Sequence, residues 1–95
     1  MTVASISYLA CPGPVPITDN IGPSEIITPL AGNTQGVNAA TRTSNVARVT
    51  GDVNMYVSFG ANPNALTDPG RFLLVAGAIE YRGIPAGHKT AVALA

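Results

Sequence analysis

The sequence predicts an all-β domain, a β-sandwich of about seven short antiparallel strands with long N-terminal loops, and three observations carry that prediction. Short runs of alternating apolar and polar residues recur along the chain. Glycine and proline punctuate them, with 10 Gly and 8 Pro in 95 residues, so no run continues far. No segment shows the i, i+3, i+4, i+7 apolar spacing with caps that marks an amphipathic helix. A jelly-roll-like winding is one form such a sandwich takes.

Val3 to Leu9 is the first strand candidate, with weak alternation. Cys11-Pro12-Gly13-Pro14-Val15-Pro16 fits neither helix nor central strand, because its prolines fix φ and remove amide donors. It reads as an extended arm or rigid connector. Ile21-Gly22-Pro23-Ser24 reads as a turn, and Glu25 to Leu30 as a strand ended by Pro29. Residues 31–45 carry almost no large apolar side chain. They read as a long loop containing at most a short edge strand, and long loops in small domains are often functional.

The strongest local pattern lies in residues 46–59. Ala47, Val49, Val53, Met55, Val57 and Phe59 occupy odd positions, while Arg48, Thr50, Asp52, Asn54 and Ser58 occupy even ones. That is period-2 alternation with one face buried. With Thr50-Gly51-Asp52 as the turn, a hairpin with an odd-length loop keeps both apolar rows on one face. Arg71-Phe72-Leu73-Leu74-Val75 is a continuous apolar run suited to a fully covered strand. Ala78 to Arg82 places Ile79 and Tyr81 on one face, and Glu80 and Arg82 on the other. Ile84-Pro85-Ala86-Gly87 fits a type I turn, and His88 to Leu94 is the last strand. Residues 46–95 are expected to hold most of the core, with the first half supplying edge strands and arms. A chain of this length makes one domain, residues 1–95, with 10–24 and 31–45 as arm or loop segments.

Charge bounds the function. Only 11% of the residues are charged, and five basic residues balance five acidic ones. An ordinary domain carries about 25% charged residues. Near-zero net charge favours association, so the surface suits a protein packed against neighbours. Arg42, Arg48, Arg71, Arg82 and Lys89 are scattered rather than clustered, which argues against nucleic acid. No stretch approaches ~18 apolar residues, so no membrane helix is expected. The first residues lack the basic and apolar regions of a secretory signal.

Catalytic chemistry finds few parts. Cys11 and His88 are single copies, and no Gly-x-Ser-x-Gly elbow is present. They do not assemble a triad or a metal set. Cys11 reads as a small apolar residue beside a turn and His88 as a surface or interface residue. Asp52 and Asp68 sit in turn contexts, where a carboxylate has local hydrogen-bonding work. The chain is therefore expected to be no enzyme, with no cofactor and no metal site.

Residues Val46 to Val49, Val53 to Pro63, Phe72 to Tyr81 and Ile84 to Lys89 resemble small virion proteins encoded by tailed phages beside their capsid genes. This covers about half the chain, residues 46–95. The resemblance implies a β-sandwich that clamps adjacent capsomers or sits on the capsid exterior, as a cement or decoration subunit. It implies a major capsid protein or another virion subunit as partner and a place on the virion after synthesis in the host cytoplasm, while exposed strand edges and low charge point to a homo-oligomer. Another virion component, such as a head–tail connector, tail or spike subunit, or a glycan-binding β-sandwich module, are the alternatives. The contact candidates are Tyr8, Pro12, Pro14, Pro16, Asn33, Gln35 and Asn38.

Overall fold

The computed structural model describes residues 3–9, 21–42 and 45–95. Pro12, Pro14 and Pro16, and with them the proposed arm, lie outside the described residues. The elements are β1 (Ala4–Leu9), β2 (Ile21–Ile27), β3 (Thr34–Ala39), β4 (Val46–Gly51), β5 (Met55–Gly60), β6 (Phe72–Leu74), β7 (Ile79–Gly83) and β8 (Lys89–Leu94). They form two four-stranded antiparallel sheets, ordered β2-β1-β4-β7 and β3-β8-β5-β6. The all-β sandwich expectation holds, with eight strands.

Read from β2 round to β1, the hydrogen-bonded neighbours β2–β1, β3–β8, β4–β7 and β5–β6 are the nested pairs of a jelly roll, with the eighth strand placed first. Both ends of the described chain meet the β4–β5 crossover. The Val3 amide donates to Asp52 Oδ1 at 2.8 Å, and the Ala95 amide donates to the Asn54 carbonyl at 3.2 Å.

The inner faces follow strict alternation. Ala4, Ile6 and Tyr8 from β1 and Ala47 and Val49 from β4 meet Met55, Val57, Leu74 and Val92 from the opposite sheet, all buried. Tyr8 is fully buried, and its hydroxyl shares a 2.9 Å hydrogen bond with Thr90 Oγ1 between the layers. Burial pushes the Tyr8 phenol above its ordinary pKa, and the bond to Thr90 pulls against that.

Several expectations change. The 46–59 segment is not a hairpin: β4 pairs with β1 and β7, whereas β5 pairs with β8 and β6. Residues 52–54 carry the chain from one sheet to the other, so the two apolar rows face each other across the core. Alternation fixes which side chains point inward, and does not say whether both strands share a sheet. Gly51 sits at this crossover because a Cβ there would run into the Met55 side chain and the Val3 carbonyl. The Phe72–Leu74 run is an edge strand, with Leu73 exposed and Leu74 buried. Residues 21–24 belong to β2, because β1 offers them a pairing partner. Within residues 31–45 the short edge strand allowed for there is present as β3, residues 34–39. The first half also supplies a central strand, since β1 lies between β2 and β4. Finally, the His88 amide donates to the Pro85 carbonyl at 3.1 Å, so the turn spans residues 85–88. Gly87 (φ +85°) takes its third position, as in a type II turn and not the expected type I.

Candidate interaction surface

Registers across the first sheet define its outer face. Ile26, Ser5, Thr50 and Ile79 form one row across β2, β1, β4 and β7, and Ser24, Ser7, Arg48 and Tyr81 form the next. The centre is made of small hydroxyl residues and one arginine. Exposed apolar residues stand at both margins, Ile26 (72% exposed) beside Ser24 on β2, and Tyr81 (51%) and Ile79 (48%) on β7. Among the described residues no segment lies over this face.

The outer face of the second sheet is the opposite case. Ala91 and Ala93 of β8 are fully buried there beneath Ala65, with Tyr56 packed beside them. Residues 61–71 make this cover, and polar side chains hold it down. Asn33 donates from Nδ2 to the Pro63 carbonyl at 3.1 Å and accepts the Ala65 amide at 2.7 Å. Gln35 Nε2 donates to the same carbonyl at 2.9 Å and to Asn62 Oδ1 at 2.6 Å. Asp68 Oδ2 accepts the Asn64 amide at 2.8 Å and the Ser58 hydroxyl at 2.6 Å. The Asn64 amide, then the Ser58 hydroxyl, hold the Asp68 carboxyl below the ordinary aspartate pKa, with Arg71 adding a smaller charge effect.

The two lateral edges also differ. At the β2/β3 edge, three β3 residues, Gly36 to Asn38, stand between register partners that flank only Thr90 of β8, which leaves bulge amides to be satisfied. Glu25 supplies the acceptor: its Oε2 takes the Val37 amide at 3.0 Å and its Oε1 the Asn38 amide at 3.2 Å. Gly36 makes room, since a Cβ there would overlap the Glu25 carboxylate. At the β6/β7 edge, Arg82 lies over the Phe72 ring at 4.1 Å and pairs with Glu80 at 3.2 Å. No strand among the described residues pairs with the outer edge of β7.

Of the predicted contact residues, Tyr8, Asn33, Gln35 and Asn38 lie among the described residues, and each has a hydrogen-bond partner within the chain. Tyr8 is a core residue, not a contact residue, because its position on β1 has the inward parity of Ile6. Asn33 and Gln35 fasten the 61–71 cover. Asn38 donates from Nδ2 to the Ser24 carbonyl at 3.1 Å, tying β3 to β2. Sequence reasoning missed Ile26, Ile79 and Tyr81 as a surface set. The alternation of 79–82 separates the two faces of β7, but apolar-inward reasoning picks the wrong one as buried.

Among the described residues, no group of three or more His, Cys, Asp or Glu side chains is placed to hold a metal ion. No buried polar side-chain atom lacks a hydrogen-bond partner there either. No protein-family model matches the chain, and no curated protein or solved structure matches it.

Proposed function

We propose that the chain is a structural subunit that works by being held among other proteins, as a cement or decoration subunit binding the major capsid protein shell of a tailed phage. One observation carries the reading: a four-stranded face of small hydroxyl residues and one arginine with exposed isoleucine and tyrosine at its margins, in a chain that is 11% charged. Apolar surface of this kind marks interaction sites. A weakly charged sheet face can seat on a repeating shell, where each copy contributes modestly and many act together. The class of partner is taken from the resemblance read in the sequence of residues 46–95 and from nothing in the fold. Jelly-roll connectivity, recurrent in viral capsid and lectin domains, is compatible with it at the level of fold analogy only.

The test is co-sedimentation of the full chain with shells assembled from the major capsid protein of the same genome. Saturable occupancy at a fixed ratio to that protein is expected. Binding to tails or connectors instead moves the chain to another virion position. Binding to a glycan panel without shell occupancy overturns the cement reading.

A further inference from the structure

The outer edge of β7, unpaired among the described residues, has the backbone and the charges to pair with itself. The Ile84 amide donates to the Asn45 carbonyl at 2.8 Å, in register with the β4–β7 ladder. In an antiparallel ladder, hydrogen-bonded and non-hydrogen-bonded pairs alternate. Arg82 and Glu80 therefore direct their backbone groups to β4, while Gly83, Tyr81 and Ile79 direct theirs outward. The other side of β4 confirms this parity. The Asp52 amide donates to the Val3 carbonyl at 3.2 Å, so residues 50, 48 and 46 serve β1, leaving 49 and 47 for β7.

We propose that two copies of this chain associate through antiparallel β7–β7 pairing about a two-fold axis at Tyr81. In that register the Tyr81 residues exchange both of their backbone hydrogen bonds. Ile79 of each copy exchanges its own with Gly83 of the other. Glu80 then faces Arg82 of the second copy, and Arg82 faces its Glu80. These fall at the non-hydrogen-bonded positions, where side chains approach most closely across strands. The surface is its own complement, as an isologous interface requires. A shift that set Glu80 against Glu80 would place like charges together, so the same pair selects the register. Within one chain the Glu80–Arg82 pair is exposed on both partners and contributes little on its own, so exchanging it for the same pair across the two-fold axis costs little, and the Phe72 ring under Arg82 holds the guanidinium at this edge. The outward apolar residues Ile79 and Tyr81 would then run continuously from one copy to the next. The inference is independent of the virion reading, because it needs only this chain.

Sedimentation velocity of the full-length chain, with circular dichroism to confirm folding, tests it. The expected mass is twice the 9.6 kDa of one chain. Glu80→Lys alone and Arg82→Glu alone each place like charges at both facing pairs, so each should sediment at half the native mass. Mixing the two variants restores opposite charges at both pairs and should restore the doubled mass. A monomeric native chain overturns the proposal. So does a native dimer that either single variant leaves intact, or a failure of the folded variants to combine.

Discussion

On the outside of the second sheet, Ala91 and Ala93 lie fully buried beneath residues 61–71, and Asn33, Gln35, Ser58 and Asp68 hold that cover in place. On the outside of the first sheet, Ser5 and Ser7 occupy an equally central strand with no such cover among the described residues. Residue choice follows the difference. Alanine leaves room for a loop to lie close, whereas serine, threonine and arginine tolerate solvent or a polar partner. A small sandwich needs only one interior core, so the fold is complete without covering both outsides. The outside that no described residue covers is the one proposed for binding.

The same substitution on each face breaks the symmetry most sharply. Ala91→Lys drives a charge beneath the 61–71 cover and is expected to destabilise by about 3 kcal/mol or more. That corresponds to a fall in Tm on the order of 15 °C for a domain of this size. Thermal unfolding by circular dichroism reads it, and an unchanged Tm would mean the cover is not closed. Between the faces, Thr90→Val leaves the buried Tyr8 hydroxyl with a weakened partner set and should cost about 1–3 kcal/mol. Adding Tyr8→Phe removes both halves of the bond, and the double variant should recover much of that loss in chemical denaturation.

Glu25→Ala unties the β3 bulge from β2 and should cost about 1–2 kcal/mol, moderated by solvent access to the freed amides. Faster hydrogen exchange at Val37 and Asn38 would localise the effect. The cover also has a pH dependence of defined sign. Because the folded Asp68 pKa is depressed, its contribution is complete above the unfolded aspartate value of 3.8 and is lost as pH falls through the lower folded value. The Asn64 amide resonance should titrate in that acidic range and not near neutrality. Smallest of all, Ser7→Lys on the bare face should change stability by no more than about 0.5 kcal/mol.

Strand content was legible because alternation is a local property: Ala47, Val49, Met55 and Val57 are buried as their spacing required. Sheet membership was not, because β4 and β5 alternate identically whether they pair with each other or face each other. The pairing is decided by β1, more than 35 residues before β4 in sequence, and by β8. Residues 34–39 read as loop with at most a short edge strand because Gln35, Gly36 and Asn38 lack apolar periodicity. Their strand is made by pairing with β8 and by the Glu25 carboxylate. The candidate surface was hidden for a related reason. Ile79 and Tyr81 look like core residues in isolation, and only their register opposite Thr50 and Arg48 of β4 sets them on the outer face. The hold of Asn33 and Gln35 on the 61–71 cover was not legible because nothing local shows that a loop 30 residues later needs their hydrogen bonds.

The most direct measurement compares shell occupancy for two lysine variants of exposed residues, Ile26→Lys on the bare face and Leu66→Lys on the covering loop, each confirmed folded. If the bare face of the first sheet seats the chain on the shell, Ile26→Lys lowers occupancy at least tenfold and Leu66→Lys leaves it at the native level. Native occupancy with Ile26→Lys, or a loss confined to Leu66→Lys, would contradict that assignment.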